Sequence, residues 1–92
     1  MNENSEAKLP VLNRLGLHAR AAAKIASLAC QFKADIVLEK DAARADARSI
    51  LDILSLGCPQ GSEIKLCAQG PEACQAVAAI SDLFLRHFGE HA

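Results

Sequence analysis

The chain reads Gly-Leu-His-Ala-Arg-Ala-Ala-Ala-Lys over residues 16–24, so His18 stands immediately before an alanine-rich segment that favours a helix. The first backbone N–H groups of a helix have no intrahelical partner, and the helix dipole leaves partial positive charge beside them. Such a helix end binds anions such as phosphate. A nucleophilic imidazole at His18 and a guanidinium at Arg20 therefore indicate a site that handles phosphate. The alternative is a helix that merely begins with a polar residue.

Each functional side chain of this segment has a chemical and an ordinary interpretation. Neutral His18 has a ring nitrogen that can attack phosphorus, and the phosphoramidate bond that results is labile, as a carrier requires. Arg20 presents a planar fork of donors to phosphate oxygens and would stabilise charge on a transferring phosphoryl group. Lys24, one helical turn beyond, would attract an anionic partner. The ordinary interpretations are a capping histidine, a surface arginine and a solvated helix face.

Length and charge indicate one small domain. The chain has 92 residues, which suffice for a modest core, and a formal net charge of −1. This charge gives no indication of nucleic acid or an anionic membrane as a partner. No apolar run approaches the roughly 20 residues that span a bilayer, and the polar, acidic first residues do not resemble a secretory signal. We therefore expect a soluble, cytoplasmic domain over residues 1–92, with its core at about residues 7–90.

The four cysteines do not form a Cys-x-x-Cys pair; they are Cys30, Cys58, Cys67 and Cys74. Zinc and redox motifs use closely spaced pairs, so we expect no metal site. In a cytoplasmic protein, free thiols in small, buried apolar positions are the commonest role. Nothing in the sequence requires a cofactor.

Apolar periodicity predicts the element order β-α-β-β-α-β-α. The predicted elements lie at residues 7–12, 19–32, 35–40, 41–46, 49–56, 62–68 and 71–88. The segment 41–46 is a turn with a weak edge strand, and the last helix has Pro71 at its first position and ends at Gly89. His87 and His91 then belong to a helix end or the tail. Alternating strands and single-stripe helices indicate two layers, an α+β open-faced sandwich.

Two motifs lie far apart in the chain. Residues 16–20 read Gly-Leu-His-Ala-Arg, and residues 47–57 read Ala-Arg-Ser-Ile-Leu-Asp-Ile-Leu-Ser-Leu-Gly. With residues 61–64 and Gly70, they resemble the HPr family of histidine-containing phosphocarriers of the bacterial phosphotransferase system. The family patterns are Gly-Leu-His-x-Arg, and Lys-Ser-Ile-Met followed by an apolar stretch and Leu-Gly. The resemblance covers about residues 7–90.

The resemblance implies a four-stranded antiparallel sheet with three helices on one face, and a monomeric phosphocarrier rather than an enzyme. It implies that His18 accepts a phosphoryl group on Nδ1 from enzyme I, which phosphoenolpyruvate charges, and passes it to an enzyme IIA domain in sugar uptake or its regulation. Arg20 would lie beside the phosphate. Ser49 occupies the position at which HPr kinase phosphorylates many relatives.

Two residues depart from the family pattern. Ala21 stands where proline usually follows the arginine, which preserves helix propensity and keeps a backbone N–H at the helix end. Arg48 replaces the usual lysine beside Ser49, which preserves the charge but not the donor geometry. Neither change removes a chemical group from the phosphorylation site.

Ser49 and the apolar residues after it each have two interpretations. The Ser49 hydroxyl can cap the short helix without any regulation, and a phosphate there would add negative charge to the same helix end. Leu51, Leu54 and Leu56 belong either to the core or, with Lys24, to a surface on which the partners of a shared carrier dock. We expect only part of this group to face a partner.

Other functions fit the pattern less well or only in part. A regulatory or nitrogen-branch HPr paralogue, acting on non-transport partners, is the main alternative. A phosphohistidine hydrolase would need a carboxylate or metal near His18, and residues 13–24 contain no carboxylate. A domain that binds without being phosphorylated would not need both His18 and Arg20. The carrier is therefore the favoured interpretation.

Overall fold

The computed structural model describes residues 3–90, whose strands and helices follow the predicted order. The strands are β1 (Glu3–Pro10), β2 (Asp35–Lys40), β3 (Ala43–Asp46) and β4 (Glu63–Gly70), and the helices are α1 (Ala19–Ala29), α2 (Ile50–Ser55) and α3 (Ala73–Leu85). A short 3-10 turn, His87–Gly89, follows α3. His91 lies outside the described residues.

The four strands form one antiparallel sheet in the order β1-β4-β2-β3. Leu9 of β1 lies opposite Ile64 of β4, and Leu38 of β2 lies opposite Leu66. All four side chains are buried, so they form one apolar face against which the helices pack. β3 lies at the sheet edge, which confirms the edge strand predicted within residues 41–46. The predicted α+β open-faced sandwich is confirmed.

The core lies between this face of the sheet and the helices. The apolar stripe predicted for the first helix belongs to it and consists of Leu17, Ala21, Ile25, Leu28 and Phe32, of which Leu28 and Phe32 are partly rather than fully buried. The second stripe, predicted for the last helix, is fully buried and consists of Ala73, Val77, Ile80, Phe84 and Phe88. Near the end of the second stripe, the rings of Phe84 and Phe88 pack edge to face with their centroids 4.9 Å apart. This contact holds the segment after α3 against the core.

β1 begins and ends earlier than the predicted strand at residues 7–12. Residues 3–6 are polar, with no apolar alternation, yet their backbone pairs with residues 67–70 of β4. Ladder hydrogen bonds join backbone groups and do not require apolar side chains. At the other end, Val11 N still donates to Ser62 O at 2.8 Å, but the Ser62 N–H donates to Pro59 O in its own turn rather than across the pair, so the regular ladder ends at Pro10. The predicted boundaries were wrong at both ends for these reasons.

α1 ends at Ala29 rather than Phe32, because the next backbone N–H groups bond only three residues back, Gln31 N to Leu28 O and Phe32 N to Ala29 O. Helix α3 begins at Ala73. The prediction that Pro71 is its first residue was therefore wrong. Glu72 is the N-cap instead: its backbone N–H donates to Lys33 O at 3.1 Å, and its carboxylate accepts from Lys33 N at 2.7 Å. Contact with this distant turn therefore decides where α3 starts.

α3 ends at Leu85 rather than continuing to the predicted end near Phe88. His87 and Phe88 both have φ of 55°, in the left-handed region that interrupts a right-handed helix. No helix within residues 3–90 has the length and apolar character to cross a membrane.

The cysteines are free thiols, as expected. Cys58 is buried, and burial raises the pKa of its thiol. Cys30 and Cys74 are exposed, so the expectation of a buried apolar role was wrong for these two. Both lie at the solvent-facing ends of helices, where the apolar stripe does not pass.

Candidate phosphorylation site

His18 is the N-cap residue of α1, as its place in the sequence predicted. Its backbone is extended, with φ of −77° and ψ of 180°, and its carbonyl accepts from Ala22 N at 2.9 Å. Its Nδ1 accepts from the backbone N–H of Arg20 at 3.3 Å. The first turn of α1 contains no acidic residue, so no side chain there neutralises the positive end of the helix dipole. Nδ1 therefore lies where an anion is favoured.

The turn before His18 requires glycine. Gly16 has φ of +67°, and a Cβ at this position would lie 2.9 Å from Pro59 Cα and closer still to Cys58 O. The same Cys58 carbonyl accepts from Leu17 N at 2.9 Å. The segment that follows α2 thus packs directly against the turn that carries His18, and α2 lies beside the site.

A carboxylate from the far end of the chain contacts the histidine ring. Glu90 Oε2 meets His18 Nε2, and Glu90 Oε1 accepts from Asn13 Nδ2 at 2.9 Å. The same Nδ2 also donates to Gly16 O at 2.8 Å, and Asn13 is fully buried. Because Nδ1 accepts the Arg20 N–H and Nε2 faces a carboxylate, the proton of the neutral ring lies on Nε2.

The surroundings of Glu90 favour its charged form. Burial raises the pKa of this carboxyl, but the hydrogen bonds from His18 and Asn13 and the nearby charge of Arg20 outweigh that effect. The net pKa lies below the usual value for glutamate. Glu90 is therefore a carboxylate at neutral pH and accepts hydrogen bonds through both oxygens.

The 3-10 turn after α3 brings Glu90 to this position. His87, Phe88 and Gly89 all have positive φ, which reverses the chain toward α1. The Phe88 side chain is buried, and its carbonyl accepts from Lys24 Nζ. Lys24, predicted as a docking residue, thus joins α1 to the C-terminal turn.

Arg20 is exposed on the first turn of α1, as predicted. Nucleophilic Nδ1, helix N–H groups and an exposed guanidinium within a few residues are the components of a phosphoryl-acceptor site. Within residues 3–90, no group of three or more His, Cys, Asp or Glu side chains is arranged to hold a metal ion.

Ser49 is the N-cap residue of α2, and its Oγ accepts from Asp52 N at 3.2 Å. Two acidic residues lie close to this cap. Asp52 Oδ2 accepts from Asp46 N at 3.2 Å, and Asp46 Oδ1 accepts from Arg48 N at 2.9 Å. The predicted capping role is confirmed, and the hydroxyl lies among both acidic and basic neighbours.

The predicted docking leucines divide into two groups. Leu51 is 77% exposed and Leu54 is 37% exposed, whereas Leu56 is partly buried and packs against the core. Ile50, which follows Ser49 on α2, is 41% exposed, and Leu15 in the turn before His18 is 62% exposed. α2 therefore has an exposed apolar surface, and this helix packs against α1, whose N-cap residue is His18.

Comparison with known families decides the identity. The family model described as "PTS HPr component phosphorylation site" matches residues 5–85. The chain belongs to the HPr family. Phosphocarrier protein HPr of Treponema pallidum is 41% identical over 87% of this chain and 91% of that protein. Phosphocarrier protein NPr of Shewanella violacea is 40% identical over 92% of this chain and 93% of that protein.

Solved structures agree with this assignment. The crystal structure of HPr-C-His from Thermoanaerobacter tengcongensis superposes with a TM-score of 0.92 at 40% identity, covering 96% of this chain and 99% of that one. The predicted HPr resemblance is confirmed. This HPr-family chain is accordingly a phosphocarrier protein of the phosphotransferase system and not a catalytic enzyme.

Sequence reasoning missed two residues that the structure places against His18 and its turn, Glu90 and Asn13. Residues 13–24 contain no carboxylate, yet Glu90 supplies one to His18 across a separation of 72 positions. Gly89 indicated only that a helix had ended. No local pattern connects either residue to the histidine, because the fold alone brings them together.

Proposed function

We propose that His18 carries the phosphoryl group on Nδ1, receives it from enzyme I charged by phosphoenolpyruvate, and passes it to an enzyme IIA domain in the cytoplasm. The observation that carries this proposal is the position of Nδ1 at the N-terminus of α1, 3.3 Å from the Arg20 N–H. Membership of the HPr family supplies the class of reaction.

The geometry supports a simple order of events. The lone pair of Nδ1 attacks phosphorus, and the leaving atom of the donor keeps the electron pair of the bond that breaks. Before the transfer, the backbone N–H of Arg20 donates to Nδ1. After the transfer, this N–H can donate to an oxygen of the phosphoryl group instead, and the Arg20 guanidinium can approach the same oxygens from solvent. Positive charge from the helix dipole stabilises the group in transit.

The decisive test is phosphorylation by a bacterial enzyme I and phosphoenolpyruvate. Wild-type protein should gain one acid-labile, alkali-stable phosphate, and His18→Ala should gain none. Gln31→Ala, an exposed change just after α1, is the control and should accept phosphate as the wild type does. Label that persists in His18→Ala would refute the assignment.

The partner surface in this proposal is the exposed apolar side of α2. Leu51 and Leu54 provide contact area close to His18, and Arg20 supplies a positive rim, a combination that suits several partners of a shared carrier. Leu56 packs against the core and Lys24 binds Phe88 O, so these two residues contribute less to this surface than Leu51 and Leu54 do. We propose that the carrier acts as a monomer.

Ser49 is the proposed site of regulation by HPr kinase. Its hydroxyl lies on the same α2 that offers the docking surface, so a phosphate there would place roughly −1.5 to −2 charges beside the partner contact. Asp46 and Asp52 already place negative charge beside the cap, and the contact of Arg48 with Asp46 offsets only part of it. The expected consequence is weaker association with enzyme I.

A nitrogen-branch role is the second candidate, because the NPr relative is 40% identical over most of both chains. Parallel phosphorylation by sugar-branch and nitrogen-branch enzyme I distinguishes the two. A kcat/KM that is tenfold or more higher with one of the enzymes would assign the branch.

A further inference from the structure

The segment after α3 is built to hold one side of His18. We call residues 87–90 the C-terminal strap. Phe88 anchors it in the core, where its side chain is 1% exposed, and Lys24 Nζ binds its backbone at Phe88 O. The strap therefore has an apolar and a polar attachment before it reaches Glu90.

The contact between Glu90 and His18 differs from an ordinary surface ion pair. The Glu90 side chain is 11% exposed, and each of its carboxylate oxygens has a separate partner, His18 Nε2 and Asn13 Nδ2. Asn13 is itself fully buried and is fixed by its bond to Gly16 O. Exposed ion pairs lack such a second, buried attachment and contribute little.

We propose that Glu90 is a positioning residue for His18. The C-terminal strap holds the Glu90 carboxylate against Nε2 of the His18 ring, so that Nδ1 faces the phosphoryl donor with its lone pair. This inference rests on the proposed phosphoryl transfer at His18. A neutral imidazole exists as two tautomers, and only the one with its proton on Nε2 presents Nδ1 as a nucleophile. A carboxylate opposite Nε2 selects that tautomer and also fixes the plane of the ring.

The same contact assists the transfer step. When Nδ1 forms its bond to phosphorus, the donor's bond to phosphorus breaks and the donor atom keeps that electron pair. The ring then carries phosphoryl on Nδ1, a proton on Nε2 and a formal positive charge. The Glu90 carboxylate lies directly opposite that proton and stabilises the charge, as carboxylates do for imidazolium in other sites.

Glu90→Gln tests this role, because the side chain keeps its size while it loses its charge and can donate or accept toward Nε2. Imidazole 15N chemical shifts, recorded where the ring is neutral, should show protonated Nε2 and unprotonated Nδ1 in the wild type and a mixture in Glu90→Gln. With enzyme I, the kcat for phosphorylation should fall at least about tenfold, and the KM for the carrier should stay within twofold. Glu63→Gln, an exposed change at the start of β4, is the control.

Lys24→Met tests the strap independently of the carboxylate. It should lower kcat in the same direction, with a smaller fold-change, because Glu90 keeps its charge but loses part of its anchorage. A rise in KM alone would instead assign Lys24 to partner docking and would refute its part in the strap. Glu90→Asp should restore the tautomer preference and part of the kcat.

The outcomes separate this inference from the proposed function. If wild-type protein accepts phosphate and Glu90→Gln retains both the wild-type tautomer and kcat, the positioning role is refuted and phosphoryl transfer at His18 stands. If wild-type protein accepts no phosphate from enzyme I, the proposed function fails, while the tautomer measurement on the uncomplexed protein still tests the contact.

Discussion

Gly16→Ala probes the turn on which the position of His18 depends. Alanine in the left-handed conformation of Gly16 costs about 1–2 kcal/mol. The new Cβ would also lie 2.9 Å from Pro59 Cα and closer still to Cys58 O, which are backbone atoms that cannot rotate away. Separating the two segments adds about 1–3 kcal/mol and weakens the Leu17–Cys58 hydrogen bond. We therefore expect a loss of about 2–5 kcal/mol in the free energy of unfolding.

Gly57→Ala is the matched control for this substitution. Gly57 has φ of +61°, close to that of Gly16, but a Cβ there would meet no atom within 4 Å. Its expected cost is the conformational part alone, about 1–2 kcal/mol. Thermal unfolding should place Tm of Gly16→Ala at least about 5 °C below that of Gly57→Ala. Equal losses of stability in the two variants would show that the contact with residues 58–59 does not constrain this turn.

Two further substitutions test the site. Arg20→Ala should leave Tm within about 2 °C of the wild-type value, because the side chain is exposed. It should slow phosphoryl transfer at least about a hundredfold if the guanidinium contacts the moving charge. Equal transfer rates in the variant and the wild type would show that Arg20 is only a surface residue. Ser49→Asp keeps a capping oxygen but adds negative charge beside Asp46 and Asp52, so the KM for its phosphorylation by enzyme I should rise. Ser49→Ala loses only the cap, which should lower the free energy of unfolding in urea by about 1 kcal/mol. A wild-type KM in Ser49→Asp would exclude regulation by charge at this position.

Elements with strong periodicity were predictable from sequence alone. β2 was predicted with its observed bounds, because the compact, β-branched run Ile36-Val37-Leu38 lies between Asp35 and Glu39, and Ile36 and Leu38 both face the core. The segment 41–46 is polar and alanine-rich, so only a turn with a weak edge strand could be predicted there, and the structure places β3 at Ala43–Asp46. The bounds of β1 and α3 were not predictable, since polar residues 3–6 pair through their backbone and Glu72 is held by Lys33. These interactions depend on partners that are distant in sequence.

The residues of the site also differ in how far they could be predicted, according to whether their partners are close or distant in sequence. His18 and Arg20 lie two positions apart at a helix start, so the rules of helix capping suffice to bring them together. Leu51 and Leu54 were also within reach of sequence reasoning, although the buried part of α2 could be separated from its exposed part only once the sheet was in place.

Glu90 shows why the remaining part of the site was not predictable. Its approach to His18 requires Phe88 in the core and consecutive positive φ values at His87 and Phe88, which non-glycine residues adopt rarely. Such a conformation costs free energy locally and persists only where surrounding contacts stabilise it. Here the surrounding contacts are the Phe84 ring and Lys24, one on α3 and one on α1. The position of a carboxylate opposite Nε2 is thus a property of the packed helices, and it leaves Nδ1 as the ring nitrogen available for the proposed phosphoryl transfer.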